Sequence, residues 1–240
     1  MFAPDVMAEI RADAVARWPE EACGVLAGGR YRPCRNIADD PRRGFRIAQA
    51  EISAARQAGP IEAIAHSHPD GWACPSALDM ARQKQWDVPF IITVAHESGA
   101  EPPLVFGRQV PKAPLTGRGF VHGVRDCKAL IDDWFRAHRG VELLDLPRDW
   151  EWWRTGGDLY REHFAAAGFR DIAEGELRPG DCVLFAIRSA VPNHAAVFLD
   201  GERIVHHPAG RAPVDPAMLS RIDPYTRWRG HAVRWARYHA

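Results

Sequence analysis

The sequence predicts two α+β domains in tandem, and three features predict it. The chain has 240 residues, room for one large domain or two small ones at roughly 100 to 200 residues each. Residues 108–118, running into Gly119, collect Pro111, Pro114 and Gly117 between two apolar-patterned regions and read as an exposed linker. On both sides of it helical and period-2 apolar patterns mix, so 1–107 and 119–240 are each expected to fold as a small α+β unit.

In the first unit, Val6, Ile10 and Ala14 sit at helical spacing before Pro19. Ala22 to Ala27 reads as a strand closed by the Gly28-Gly29 turn, and Ala48 to Ala58 as a helix stopped by Gly59-Pro60. A strand Ile61 to His68, a helix Ser76 to about Trp86, and strands at Phe90 to Val94 and Leu104 to Gly107 complete it. In the second unit, Cys127, Leu130, Ile131, Trp134 and Phe135 define one apolar helix face ended by Gly140. Val183 to Ile187, Ala195 to Leu199, Arg203 to His206 and the tail from Ala232 are short, β-rich and divided by turn signals such as Asp200-Gly201.

Composition narrows the function. Apolar residues make up 46% and charged residues 26% of the chain, the profile of a soluble globular protein. Basic and acidic residues balance at 31 each, so the overall positive field needed to bind nucleic acid is missing. Five cysteines without a C-x-x-C pair argue for reduced thiols. No apolar run approaches the ~20 residues of a membrane span, and Met1 to Ile10 has no signal-peptide pattern.

His66-Ser67-His68 ends a candidate strand, where period 2 points both imidazoles to one face, close enough for one metal ion. Asp79 can add an oxygen ligand, leaving a fourth position open for water as in a catalytic zinc site. Ser76-Ala77-Leu78-Asp79 also reads as a helix capping box, and that alternative stays open. The spacing His-x-His, seven residues, Ser, two residues, Asp, with Glu21 upstream in Glu-Ala-Cys-Gly-Val-Leu, resembles the JAMM (MPN+) metalloproteases. That resemblance implies a JAMM/MPN-like α/β sandwich in which His66, His68 and Asp79 bind one Zn²⁺, Glu21 handles the proton of the attacking water, and Ser76 stabilises the oxyanion. Cys74 is expected to be a loop thiol rather than a competing ligand, and His96 a surface histidine.

Asp126-Cys127 opens the amphipathic helix, with Asp126 as N-cap and Cys127 in the first turn, where the macrodipole favours thiolate. Taken alone, Cys127 reads as a small buried hydrophobe. Asn193-His194 lies at the mouth of one strand, and the Asp200-Gly201 turn returns His206-His207 on the next. Asp-Cys at a helix start, a His-led strand and a polar residue twelve positions later resemble the NlpC/P60 cysteine peptidases, of papain-like fold. The resemblance implies Cys127 as nucleophile, His194 as base and His206 as its orienting partner, with His207 as runner-up. Lys128-Ala129 stands where most of that family has Ser-Gly. Cys23, Cys34 and Cys182 read as core, and Trp150, Trp152 and Trp153 as packing residues or the wall of a sugar-peptide groove.

A JAMM unit followed by an NlpC/P60 unit is similar to the phage tail assembly proteins of the lambda K type. That likeness implies a phage or prophage tail-tip hydrolase, made in the host cytoplasm and carried to the virion tail tip. Its implied partners are bacterial peptidoglycan and other tail-tip proteins. The competing readings are a structural tail-tip protein with vestigial sites and a host JAMM enzyme processing ubiquitin-like sulfur-carrier proteins; the latter leaves Cys127, His194 and His206 unexplained.

Overall fold

The computed structural model describes residues 2–239. The chain divides into two compact units, the first ending at Pro111 and the second beginning at Lys112. No helix among the described residues is long and apolar enough to cross a membrane.

The first unit runs α1 (Pro4–Arg17), β1 (Cys23–Ala27), β2 (Arg30–Cys34), α2 (Gln49–Gln57), β3 (Ile61–Pro69), α3 (Ala77–Trp86), β4 (Phe90–His96), β5 (Gly99–Ala100) and β6 (Leu104–Phe106). Its sheet has the order β2-β1-β3-β4-β5, with β6 also on β4, and only β3 and β4 pair in parallel. Val6 and Ile10 of α1 close one face over Leu26, Tyr31, Ala63, Ala65 and Ile91. Alternation along β3 therefore sends Ile64 and His66 to the opposite face. The β1-β2 hairpin turns at Gly28 and Gly29, both at positive φ. Gly24 has no room for a side chain: a Cβ there would meet the Tyr31 ring at 2.4 Å and the Arg32 carbonyl at 2.6 Å.

The second unit runs β7 (Gly119–Val121), α4 (Cys127–Arg139), α5 (Leu159–His163), β8 (Phe169–Ile172), β9 (Cys182–Phe185), β10 (His194–Leu199), β11 (Arg203–His206), β12 (Val214–Leu219), β13 (Arg221–Pro224) and β14 (Ala232–Tyr238). Six strands form an antiparallel sheet in the order β13-β11-β10-β9-β14-β8, and β12 pairs with β7. The apolar stripe of α4, Leu130, Ile131, Trp134 and Phe135, packs on Leu184, Ala195, Val197 and Val205. Burying each of these four side chains contributes about 1.5–3 kcal/mol, which fixes the helix on the sheet. Gly140 ends α4 in the left-handed conformation expected of a C-terminal glycine. Arg118, within the stretch read from sequence as linker, is buried in this unit and ion-paired with Asp133 at 2.6 Å.

Candidate active sites

On β3, His66 and His68 turn their Nε2 atoms toward each other at 3.1 Å. Asp79 comes to them from the first turn of α3, with Oδ1 at 3.3 Å from His66 Nε2 and Oδ2 at 3.5 Å from His68 Nε2. The three are the one His, Cys, Asp or Glu cluster of metal-binding geometry among the described residues. Each ring is held from behind. His68 Nδ1 donates to the Trp72 carbonyl at 2.8 Å, which leaves Nε2 as its lone-pair atom, while His66 stacks on Phe45 at 4.6 Å. Buried His66 Nδ1 has no hydrogen-bond partner.

These donors fit a tetrahedral zinc-type ion. Bonds of about 2.0–2.1 Å imply ligand atoms about 3.3–3.4 Å apart, and the observed separations of 3.1, 3.3 and 3.5 Å bracket that edge. Burial pushes the Asp79 carboxyl up, but His66, His68 and Ser76 outweigh it and hold it far below the usual range. Burial lowers His66.

Glu21 is buried just before β1, and the Ser67 amide donates to the carbonyl of the next residue, Ala22, at 3.0 Å. Burial pushes its carboxyl up to about 7, with His68, Asp79 and Arg82 as the charges it senses. The capping-box reading of Ser76 and Asp79 holds, on the same carboxylate that faces the two imidazoles. Ser76 Oγ accepts from the Asp79 amide at 3.1 Å and donates to Asp79 Oδ2 at 2.6 Å, and the Ser76 amide donates to the same oxygen at 2.9 Å. Cys74 lies outside the ligand cluster, its thiol pushed up to about 12 by burial. His96 is partly exposed and bonds Asp70 at 3.0 Å.

In the second unit Cys127 is the first residue of α4, capped by Asp126 Oδ1 on the Ala129 amide at 2.9 Å. Asp126 Oδ2 also binds the Gly123 amide at 2.8 Å and the buried Arg148 guanidinium at 2.5 Å. Tyr160 Oη lies 3.5 Å from Cys127 Sγ, and the Ala195 amide, next to His194, also bonds the sulfur. Burial, then Asp126, pushes this thiol up, against the helix N-terminus that favours thiolate.

His194 and His206 meet as expected, with Nε2 to Nδ1 at 2.9 Å. The register explains it. Ala196 faces His206 across β10 and β11, so His194 is a diagonal neighbour on the same face. One strand further, Ile204 faces Asp223, and the same diagonal brings Asp223 Oδ2 to His206 Nε2 at 3.1 Å. Arg221 Nε and Trp228 Nε1 donate to that oxygen at 3.0 Å each. Burial lowers His194 strongly and takes His206 down to about 4. His207 turns elsewhere, bonding the Met218 carbonyl at 3.0 Å.

Asp223, Arg221 and Tyr160 were not singled out from sequence. An acid in the inward register of a short strand was the one available signal for Asp223; Tyr160 carried none. Trp150, Trp152 and Trp153 form an edge-to-face chain that reaches Tyr160 at 5.8 Å. All five cysteines are free, and Cys23, Cys34 and Cys182 are buried.

A family model described as prokaryotic homologs of the JAB domain matches residues 3–105, and the NlpC/P60 family matches residues 115–228. The chain is 34% identical over 236 residues to the tail tip assembly protein K of Escherichia phage N15, covering 95% of this chain and 92% of that one. To the tail tip assembly protein K of Escherichia phage lambda it is 35% identical over 179 residues, 73% of this chain and 80% of the relative. Among solved structures, an NLP/P60 family protein from Staphylococcus aureus aligns at 20% identity and a TM-score of 0.36, over 52% of this chain and 38% of that one. An NlpC/P60 family protein from Bacillus cereus aligns at 11% identity and a TM-score of 0.33, over 99% and 67%.

Proposed function

Since this chain belongs to the family of the phage tail tip assembly protein K, with a JAB-type domain before an NlpC/P60 domain, we propose that it is a tail-tip hydrolase with two catalytic centres. The second unit is a cysteine peptidase that opens stem peptides of bacterial peptidoglycan, at a D-glutamyl to diamino-acid amide. The first is a zinc-dependent (iso)peptidase acting on a tail protein during assembly. The protein is made in the host cytoplasm, joins other tail-tip proteins, and meets the cell wall from the tail tip.

The observation that carries the cysteine reading is the 2.9 Å contact of His194 Nε2 with His206 Nδ1, beside the helix that presents Cys127. With Nε2 so engaged, Nδ1 is the nitrogen left to take a proton. Half-buried Cys127 rests as the thiol and buried His194 as the neutral imidazole. The Cys127 proton therefore passes to His194 as sulfur bonds the scissile carbonyl carbon. His194 then returns that proton to the departing amine, and water, deprotonated by the same ring, releases the acyl group from sulfur. His206 holds the ring through both transfers.

In the first unit His66, His68 and Asp79 would hold the metal. A bound Zn²⁺ supplies Lewis-acid polarisation of the carbonyl and acidifies water. Glu21 takes the proton of the attacking water at its carboxylate and delivers it to the leaving amine. Ser76 serves the oxyanion by turning its hydroxyl proton away from Asp79 Oδ2, where it rests at 2.6 Å.

Digestion of purified peptidoglycan tests the cysteine reading. Wild-type protein should release stem-peptide fragments with new amino termini, and Cys127→Ala and His194→Ala should release none. Fragment release by folded Cys127→Ala at the wild-type rate would defeat it.

A further inference from the structure

We propose that Asp223 is a positioning residue that sets the tautomer of both histidines and so makes His194 Nδ1 the basic atom of the site. The inference rests on the cysteine-hydrolase reading of that site. It starts from one oxygen. An ionised carboxylate can only accept, so His206 Nε2, 3.1 Å from Asp223 Oδ2, must carry the proton of that bond. A neutral imidazole has one N–H, hence His206 Nδ1 is an acceptor. His194 Nε2, 2.9 Å away, must then donate to it, and His194 Nδ1 is left with the lone pair. Without Asp223 nothing in this chain of bonds selects that arrangement over its reverse, in which His194 Nδ1 carries the proton and cannot take one from Cys127.

The surroundings keep Asp223 in that role. It is buried, and Arg221 Nε and Trp228 Nε1, both obligate donors, bond the same oxygen at 3.0 Å each. Burial would raise its carboxyl, but these donors and His206 hold it below the usual carboxylate range. Trp228 also sets its ring edge-on to His206 at 4.5 Å and tilted against His194 at 5.7 Å, so the residue that orients the acid also clamps the rings. The alternative is a structural ion pair between Asp223 and Arg221, whose side chain is 39% exposed. Such a pair would have no bearing on ring tautomers.

Two substitutions separate these roles. In Asp223→Asn the amide oxygen still faces the Arg221 and Trp228 donors, so His206 still donates and the tautomers stay. Asp223→Ala removes the acceptor. The readouts on the full chain are ring ¹⁵N spectra of labelled histidines, assigned with His194 and His206 variants, and the alkylation rate of Cys127 by iodoacetamide, followed by peptide mass.

Wild type and Asp223→Asn should show His194 protonated at Nε2. Asp223→Ala should lose that signature and slow alkylation roughly tenfold or more, as expected when a catalytic histidine loses its orienting partner. A His194 ring protonated at Nδ1 in the wild type overturns the proposal without any variant. So does Asp223→Ala with wild-type spectra and rate, or Asp223→Asn losing both as completely as Asp223→Ala. If Cys127→Ala still digests peptidoglycan while the spectra follow Asp223 as stated, the hydrolase reading fails and the tautomer assignment stands.

Discussion

Lowering the pH should weaken the second unit through His206, by an amount the structure sets. The ring is buried between His194 and Asp223, and burial takes it from an ordinary value near 6.5 down to about 4, against the opposing pull of Asp223. Between those values the unfolded chain binds a proton that the folded chain refuses, so stability falls as pH drops through that window and is unaffected above it. At about 1.4 kcal/mol per pH unit the loss reaches about 3 kcal/mol in all, about 2 of it by pH 5. Hydrogen exchange of the Val197 and Val205 amides on β10 and β11, corrected for intrinsic rates, reads the opening free energy of this sheet at pH 7.5 and pH 5. His206→Gln should flatten the difference by about 2 kcal/mol relative to wild type. The residual slope belongs to His122, His194 and His207, which burial also lowers. Equal pH dependence in wild type and His206→Gln would refute the reasoning.

Other outcomes follow from the same geometry. Purified protein should carry about one zinc per chain by elemental analysis, and the His66→Ala, His68→Ala double variant should carry none. A chelator should silence the first unit and spare peptidoglycan cleavage, whereas an alkylating agent should do the reverse; chelator-sensitive wall cleavage would reassign the wall-cutting centre. Gly24→Ala drives a methyl into Tyr31 and the Arg32 carbonyl, both closer than 3 Å, and should cost the first unit about 1–3 kcal/mol in a denaturant titration. Cys182→Ala should keep hydrolysis and alkylation unchanged, since that thiol is buried in β9 and burial pushes it far above its ordinary range.

Periodicity made the frame legible. The stripe of α4 and the apolar runs of β1, β3, β4, β9 and β10 could be read because burial imposes a pattern on neighbouring residues. Three of the missed strands lack one: β2, β12 and β13 are interrupted by Pro33, Pro216 and Pro224, and they form because an adjacent strand offers a ladder. The same divide runs through the sites. His66 and His68 were legible because two residues on a strand share a face, and Ser76 and Asp79 because three residues span a helix cap. Asp223 was not, since it reaches His206 through the β11-β13 register, which local sequence does not encode. Tyr160 likewise reaches Cys127 from a segment 33 positions away.

The double duty of Asp79 bears on how such a site would decay over generations. One carboxylate both closes the start of α3 and faces the two imidazoles. A lineage that stopped using the metal would still use that acid, because it accepts from the Ser76 amide and hydroxyl in the reciprocal half of the capping box. His66 has no comparable protection, since it keeps a buried nitrogen without a partner and an apolar replacement there would relieve the fold, and His68 has only its bond to the Trp72 carbonyl. Loss would therefore proceed in a fixed order, imidazoles first and acid last. A descendant with Ser-x-x-Asp intact and apolar residues at positions 66 and 68 would have inherited a helix start, and its acid would testify to architecture alone.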